Sequence, residues 1–419
     1  MLASALYGIA PWLAVLVLPL SAACSSPAVV QQDEPGVPRV FSISGEQLVR
    51  VRERLQAGDP RLRPALNQLI EQADQAAARE PVAVTQKSTL LGPSGDPHDY
   101  FSLSPYWWPD PSRPDGLPYI RRDGETNPES KRDLDQPRVA QLGWNLQTLA
   151  LAYFYTGRES CAAAAARQLR TWFVDAATRM NPHLRFAQLV RGIDQERGSG
   201  IIDTRWFIEV VDAIGLIGRS SNWTAADQTA LQQWFREYLA WLTTSPNGEH
   251  ERVAVNNHGS WFAAQTAAYA LFVGDRKLAE GIVSSVRDRI GAQIQADGSQ
   301  PIELQRTRSL HYSNFNVEAL SRVAEMGRHL DIDLWHYRAP GGGSIARAVD
   351  RIAPFVQDQA AWPGPQLDPV APELLLLTLR RTSAALGSTP LWERAIRQLP
   401  AALRESDRSS LLCLDPAAR

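Results

Sequence analysis

The sequence predicts an all-α fold, namely an α/α toroid: an incomplete barrel of about six to seven helical hairpins that carries a long lid loop. Three observations lead to this prediction. Apolar residues recur with a 3.6-residue period in many segments from residue 41 onward. No convincing run alternates apolar and polar residues as a half-buried strand would. One long segment, rich in proline and aromatic residues, interrupts the helical pattern.

The helical segments follow one another with short breakers between them, which favours antiparallel hairpins over isolated helices. Clear breakers are Gly157, Gly274-Asp275 and Asp297-Gly298. An α-solenoid is the alternative, but the sequence lacks the strict repeat that a solenoid shows. The predicted helices cover residues 45–56, 61–79, 138–155, 161–177, 203–217, 225–242, 259–272, 277–295, 316–329, 344–355, 372–386 and 391–404.

Residues 81–137 form the segment that breaks the helical pattern. A structureless stretch of this length inside a compact domain is usually functional or disordered. Its aromatic content, above all Tyr106-Trp107-Trp108, argues against disorder. We therefore predict an ordered lid over the mouth of the toroid.

The chain begins with a pattern typical of export. Residues 1–24 resemble a signal peptide, with a short apolar run followed by small residues and Cys24, which is a candidate for lipid attachment. Residues 25–40 form a linker, and residues 41–410 a single toroid domain. We expect a periplasmic protein, an outer-membrane-anchored lipoprotein or a secreted protein, whose membrane contact depends on a lipid at Cys24. The sequence leaves the oligomeric state open.

The composition limits the kinds of ligand that the protein is expected to bind. The 43 basic and 45 acidic residues nearly cancel, so no global basic field for nucleic acid exists and an anionic ligand must be met by local cations. No histidine pair or carboxylate set has the spacing of a zinc site or an EF-hand, so we predict no metal and no cofactor. Cys161 and Cys413 are expected to be buried thiols or to form one disulfide.

Asn256-Asn257-His258 precedes a predicted helix and is the first candidate site. Asparagine is a common N-cap, so capping alone explains part of this pattern. However, a helix N-terminus carries partial positive charge and free N–H groups, which suit a carboxylate. An amide and a neutral imidazole placed there share negative charge without adding a net charge.

The second candidate site lies in the stretch 297–316, which contains Arg306 and Tyr312. A lone arginine is usually paired or solvated, and a lone helical tyrosine usually packs, so neither residue is informative by itself. Their combination with the Asn-Asn-His motif is what favours a functional interpretation. A bare Ser-His-Asp site is not indicated, because no Gly-x-Ser-x-Gly elbow is present.

Several of these motifs, in this order, resemble sequences of the alginate lyase family from about residue 60 to residue 360. The resemblance implies an α/α toroid and β-elimination on uronates, as in polysaccharide lyase family 5 and the glucuronan-active family 38. The chain has Thr307 after Arg306, where family 5 has glycine, and a shorter Arg-to-Tyr spacing, which favours a relative of family 5. The motifs are Asn256-Asn257-His258, Glu303-Leu304-Gln305-Arg306, Leu310-His311-Tyr312-Ser313-Asn314-Phe315, Trp172-Phe173-Val174-Asp175, Met180-Asn181-Pro182 and Tyr106-Trp107-Trp108-Pro109.

Elimination requires three actions: quenching the uronate carboxylate, removing the C5 proton and protonating the leaving O4 oxygen. Asn257, His258 and Arg306 suit the first action. Tyr312 suits proton transfer, provided that a cation such as Arg306 lowers its pKa from about 10. Where C5–H and O4 lie on one face of the sugar, as in mannuronate, Tyr312 serves as base and acid. Where they lie on opposite faces, His258 is the natural base and Tyr312 the acid. Both schemes remain open.

The predicted substrate is a 4-linked uronate polymer, either alginate (polymannuronate) or glucuronan. One alternative is a toroid glycoside hydrolase, whose paired carboxylates would be Glu303 with Asp297 or Glu318. Another is a non-catalytic uronate-binding lipoprotein. The candidate substrate-binding residues are Asn256, Tyr106, Trp107, Trp108, Lys87, Gln188, Arg191 and Arg308.

Overall fold

The computed structural model describes residues 36–87, 92–193 and 195–414. The predicted signal peptide, Cys24 and most of the linker lie outside these residues. The helices are α1 Gly45–Gln56, α2 Arg63–Ala77, α3 Asp135–Thr156, α4 Glu159–Leu169, α5 Phe207–Ile217, α6 Ala225–Thr244, α7 Pro246–Arg252, α8 Asn257–Val273, α9 Arg276–Gln293, α10 Pro301–Leu304, α11 Ser309–Arg328, α12 Ile345–Ile352, α13 Pro372–Leu386, α14 Pro390–Gln398, α15 Ala401–Ser406 and α16 Ser409–Leu412. The strands are β1 Phe101–Leu103, β2 Trp107–Trp108, β3 Ile120–Arg121 and β4 Phe186–Leu189.

The helices form the predicted α/α toroid. An inner ring runs from α3 through α5, α8 and α11 to α13, and each of these helices packs on the next. Helices α4, α6, α9, α12 and α14 lie outside the ring. Helices α15 and α16, the last that the structure describes, pack on α2, and α16 also contacts α13. None of the helices in the three described ranges is long and apolar enough to span a membrane.

Helix α8 shows why the inner ring is rigid. Asn256 caps its first turn by accepting a hydrogen bond from the His258 amide, and Gly274 ends it in the left-handed conformation with φ 84°. Nearly every residue between them is buried, because α8 contacts α5, α6, α9 and α11. A helix that is apolar all round belongs in a protein interior.

Several helix boundaries differ from the sequence prediction, because polar residues or proline near the true ends interrupt the apolar periodicity. Helix α11 begins at Ser309, seven residues before the predicted start at 316. The segment predicted at 203–217 begins with a 3₁₀ stretch, Gly198–Trp206, before α5. The segment predicted at 391–404 is split in two, since Pro400 has no N–H to continue α14.

In its described residues the lid is ordered, as predicted, and it contains strands that the sequence did not reveal. Strand β1 pairs in parallel with β4, which joins the lid to the body of the toroid, and β2 pairs antiparallel with β3. These strands are two to four residues long, which is too short for a visible alternation pattern. Cys161 and Cys413 are free and buried, so the structure shows the predicted buried thiols and not a disulfide.

Lys87 anchors the base of the lid, and its predicted role in substrate binding is wrong. Its side chain is completely buried, and its ammonium group lies 2.8 Å from the Asp135 carboxylate. The same group lies within hydrogen-bond distance of the carbonyl oxygens of Val84, Pro97 and Asp99. A lysine that is enclosed in this way has no surface left for a ligand. It fixes the lid to the first turn of α3.

Lys87→Met is expected to lower the free energy of unfolding by about 3–5 kcal/mol, because it removes the nearest cation from the buried Asp135 carboxylate and leaves it with the more distant Arg138, at 3.6 Å. Urea denaturation followed by circular dichroism measures this change. The matched control is Lys277→Met, an exposed lysine on α9, which should change stability by less than about 0.5 kcal/mol. Equal stability of the two variants would contradict the anchoring role of Lys87.

Candidate active site

A cleft of about 530 Å³ opens where the N-terminal ends of inner helices meet. The first turn of α3 contributes Gln136, that of α8 contributes Asn257 and His258, and that of α11 contributes His311 and Tyr312. Helix N-termini carry partial positive charge and unsatisfied N–H groups. The fold therefore concentrates groups that favour an anion at one rim of the toroid.

Asn257 is fixed in this cleft by a buried carboxylate. Glu303, which is 2% exposed, accepts hydrogen bonds from the Asn257 backbone N–H at 2.6 Å and from its side-chain Nδ2 at 2.8 Å. The amide therefore has one orientation. Its Oδ1 atom is buried and accepts no hydrogen bond from any described residue.

His258 is held by a second buried carboxylate, Glu251, whose Oε1 lies 2.5 Å from Nδ1 of the ring. An ionised carboxylate only accepts, so the bond places the proton on Nδ1 and leaves the Nε2 lone pair available. The next residue must be small, because a Cβ at Gly259 would overlap the Ala254 carbonyl oxygen and the Arg289 guanidinium. Glycine after Asn257-His258 thus permits the close packing around the first turn of α8.

Tyr312 and Arg306 form the opposite wall of the cleft. The Arg306 guanidinium stacks on the Tyr312 ring, 3.6 Å from its centroid. The Tyr312 hydroxyl lies 2.7 Å from the hydroxyl of Tyr106, which comes from the lid. The lid thus reaches the tyrosine that was expected to transfer protons.

The pKa of Tyr312 is raised well above its usual value, contrary to the expectation that Arg306 would lower it. Burial is the main cause, and Tyr106 adds to it, while Arg306 opposes the shift without reversing it. The cation acts on the ring face and is itself paired, which weakens its effect on the hydroxyl. In the empty cleft Tyr312 is therefore protonated. Burial also lowers the pKa of the neighbouring His311 to about 4, so this imidazole is neutral at neutral pH.

Asp123 of the lid binds the loop before α11. Its carboxylate accepts from Arg306 Nη2 at 2.7 Å and from Arg306 Nε at 3.0 Å. The Thr307 hydroxyl donates to the Asp123 carbonyl oxygen at 2.8 Å. The threonine that departs from the family 5 pattern therefore has a structural role here. A Cβ at Gly124 would overlap the Thr307 hydroxyl, which explains why glycine follows Asp123.

The cleft lining is basic, although the whole chain is nearly neutral. Asp203 and Glu251 are its acidic residues, and both already accept hydrogen bonds from neighbouring side chains. Arg197 and Arg205 have no carboxylate within 4.0 Å in the part of the chain that the structure describes, so both are available to a ligand carboxylate. The basic side chains that line the cleft are Arg121, Lys131, Arg197, Arg205 and Arg306.

Four of the eight residues predicted to bind substrate line the cleft: Asn256, Tyr106, Trp107 and Gln188. Gln188 has φ 50°, a left-handed conformation that is rare outside glycine, and its amide donates to Asp203 at 2.8 Å. Such strain often accompanies functional sites.

The other four candidates do not line the cleft. Besides Lys87, Arg191 is paired with Glu129 and Arg308 is paired with Asp368 at 2.7 Å. Trp108 turns its indole N–H to the Glu125 carbonyl oxygen within the lid. The predictions for Lys87, Trp108 and Arg191 are wrong because these side chains bind groups of the folded lid, although they look available in the sequence. Arg308 and its partner Asp368 both lie outside the lid.

Sequence reasoning missed Glu251 and Asp123, the carboxylates that hold His258 and Arg306. Glu251 precedes His258 by seven residues but lies on the separate short helix α7, and Asp123 is distant in sequence from Arg306. Neither carboxylate could be assigned to its partner from their spacing in the sequence. Asp123-Gly124 could only have been recognised as a turn.

The structure does not provide the paired carboxylates of the hydrolase alternative. Glu303 is used by Asn257, and Glu318 forms an ion pair with Arg322 at 3.0 Å. Asp297 caps the turn at Ser299. None of these three acids lines the cleft.

Comparison with known proteins agrees with this geometry. The alginate lyase family model matches residues 83–362. The crystal structure of an alginate lyase from Bacteroides ovatus is 35% identical, with a TM-score of 0.84 over 90% of this chain and 99% of that chain. Alginate lyase A1-III from Sphingomonas species A1 is 19% identical, with a TM-score of 0.59 over 91% and 98%, and supports the fold. A variant of the latter, complexed with a tetrasaccharide, is 18% identical, with a TM-score of 0.60 over 91% and 97%. No curated protein matches the chain.

The toroid, its cleft and these similarities define the protein as a polysaccharide lyase. The hydrolase and binding-protein alternatives are therefore set aside. Since the family model covers more than half of the chain, the protein belongs to the alginate lyase family.

Glu251→Gln is expected to lower kcat by about 10²-fold, because glutamine keeps the shape but no longer fixes the His258 tautomer. Release of unsaturated ends, followed by ultraviolet absorbance, measures the effect. Glu249→Gln on the same short helix is the matched control, since Glu249 is exposed and pairs only with Arg252 among the described residues. Equal rates in the two variants would exclude a positioning role for Glu251.

Proposed function

We propose that the protein cleaves a 4-linked uronic-acid polymer by β-elimination, leaving an unsaturated uronide at the new non-reducing end. One observation carries the proposal: Asn257, His258, Arg306 and Tyr312, which come from two distant parts of the chain, line a single basic cleft. The cleft supplies groups for the carboxylate and for the protons of this reaction.

Quenching the carboxylate is the first requirement, since the C5 proton is only weakly acidic next to a charged carboxylate. Asn257 lines the cleft and keeps one side-chain N–H that is not bonded to Glu303. His258 offers its ring edge at the same helix N-terminus. Groups that are fixed before substrate arrives stabilise developing enolate charge without a reorganisation cost. Glu303 and Glu251 provide this fixation.

Proton transfer is assigned to Tyr312. Because it is protonated in the empty cleft, its hydroxyl is suited to protonate the leaving O4 oxygen. For sugars with C5–H and O4 on opposite faces, His258 Nε2 takes the C5 proton. For mannuronate or glucuronate, with both on one face, Tyr312 acts as a phenolate: its own proton leaves to solvent before the reaction, it takes the C5 proton, and it delivers that proton to O4. The Tyr106 hydroxyl at 2.7 Å can donate a hydrogen bond to this phenolate.

The proposed polymer is alginate, with glucuronan as the second candidate. The Bacteroides ovatus and Sphingomonas proteins that this chain resembles are named alginate lyases. A tetrasaccharide complex is known for the latter, which supports an oligosaccharide ligand in this fold. Arg197 and Arg205 line the cleft without a carboxylate partner among the described residues, which favours a polymer with a carboxylate on each unit.

We also propose that the chain is exported and is anchored through Cys24 or released. The apolar run and small residues of positions 1–24 support export. An extracellular polymer is accessible only to an exported enzyme.

A substrate panel tests the proposed reaction. Incubation with polymannuronate, polyguluronate, glucuronan and glycosaminoglycans should produce ultraviolet absorbance from a C4–C5 double bond, with the largest rate on an alginate block. The absence of absorbance with every uronate polymer would refute the proposed function. Saturated reducing ends without absorbance would indicate hydrolysis instead.

Tyr312→Phe is expected to lower kcat by about 10³-fold or more, because it removes the hydroxyl that carries the proton. The melting temperature should hardly change, because the ring and its Arg306 contact remain. Tyr337→Phe, which lies outside the cleft lining, is the matched control and should retain full activity. Near-normal turnover of the Tyr312 variant would remove this tyrosine from the mechanism.

A further inference from the structure

A group of buried amide side chains joins the two helices that carry the two halves of the candidate active site. Gln293 is the last residue of α9, Gln300 directly precedes α10, and Asn316 lies on α11. These residues are at most 5% exposed, and none of the three lines the cleft. They therefore do not contact a substrate in the cleft, and any effect that they have on the reaction must act through their neighbours.

Gln293 uses its full hydrogen-bonding capacity, and three of its four bonds go to the start of α8. Its Nε2 donates to the carbonyl oxygens of Val255 and Asn256, both at 3.2 Å. Its Oε1 accepts from the Ser260 hydroxyl at 3.0 Å and from Asn316 Nδ2 at 3.0 Å. An amide offers two donors and two acceptor positions, so Gln293 has none left. Two carbonyl oxygens on one side and two donors on the other also fix which way round the amide lies.

Two further bonds extend this contact to the turn of α11 that holds Tyr312. Asn316 Nδ2, which donates to Gln293, also donates to Gln300 Oε1 at 2.7 Å. Gln300 Nε2 donates to the Ser313 carbonyl oxygen at 2.9 Å. Ser313 directly follows Tyr312, and Asn316 lies one helical turn beyond it, so these bonds hold that turn of the helix.

These hydrogen bonds restrain α8 and α11 in a way that apolar packing does not. The two helices also meet through aromatic side chains, with the ring centroids of Trp261 and Phe315 4.8 Å apart. Apolar contact is not directional, so it does not by itself fix how far one helix is shifted along the other. Hydrogen bonds weaken steeply once their geometry is distorted. A buried amide whose bonds are all made therefore favours a single relative position of the two helices.

We propose that Gln293 is a positioning residue for the elimination, and that it fixes the separation between the first turn of α8 and the turn of α11 that holds Tyr312. The first turn of α8 carries Asn257 and His258, which are assigned to the carboxylate, while Tyr312 is assigned to the proton. Both sets of groups must reach the same sugar at once, and a misplacement of about 1 Å can lower a rate about 10²-fold. The inference rests on the proposed function, and it adds a residue that the substrate does not touch.

Gln293→Glu tests the proposal, because it keeps the shape of the side chain and replaces the Nε2 donor by an oxygen. The new oxygen faces the carbonyl oxygens of Val255 and Asn256 and is repelled by them. With the preferred uronate polymer, kcat should fall by about 30-fold and KM should change by less than about threefold. We expect KM to be nearly retained because the groups that bind the carboxylate keep their own glutamate partners.

Gln265→Glu is the matched control, since Gln265 is another fully buried amide on α8, but its oxygen accepts from Thr204 at 2.9 Å and not from α11. This control should lower the melting temperature as Gln293→Glu does, while kcat changes by less than about twofold. Asn316→Ala breaks the same link from the α11 side and should lower kcat to a similar degree as Gln293→Glu. It takes the place of Gln293→Glu in every measurement if that variant does not fold.

A double substitution separates positioning from general damage. If Gln293 acts by placing Tyr312, adding Gln293→Glu to Tyr312→Phe should lower the residual kcat by less than about threefold, because no phenol is left to misplace. A loss of folded protein would instead lower kcat by the same factor in both backgrounds, and that result would overturn the proposal. So would kcat values of Gln293→Glu and Asn316→Ala within about threefold of the wild-type value. If the wild type itself releases no unsaturated product from any uronate polymer, the proposed function fails and not only this inference.

Discussion

Two buried carboxylates determine the geometry on which the cleft depends. Glu303 and Glu251 each accept short hydrogen bonds from the first turn of α8, and so fix Asn257 and His258. Burial of such groups is tolerated because their oxygens are satisfied. Helix α8 packs against five other helices, α5, α6, α7, α9 and α11, and so has little room to shift and restore a lost contact. The charge-quenching groups are therefore preorganised by the core of the toroid.

The toroid also explains how a nearly neutral protein receives an anion. Inner helices that begin at the same rim add their N-terminal N–H groups there, and the rim carries Arg197, Arg205 and Arg306. Positive charge is concentrated in the cleft, while the rest of the chain has an excess of acidic residues.

The sequence predicted the features that depend on apolar periodicity or on short contiguous motifs. Apolar periodicity identified the toroid, and short motifs identified Asn257, His258 and Tyr312, which the structure brings to one cleft. Contacts between distant single residues were not predictable. Nothing in the sequence indicates that Glu251 contacts His258. Lys87 appeared available to a ligand because a lysine in a proline-rich segment is usually solvated, whereas it is buried against Asp135. The shift in the pKa of Tyr312 was predicted in the wrong direction, because it depends on burial and on the contact with Tyr106, and both arise only in the tertiary structure.

The lid is attached to the toroid at several separate places: by Lys87 at its base, by the pairing of β1 with β4, and by Asp123 at the Arg306 loop. These contacts bring Tyr106 to the Tyr312 hydroxyl. Transplanting a lid from another toroid would therefore require Asp123 and Tyr106 to be carried over together, because the first holds the loop before α11 and the second contacts the site.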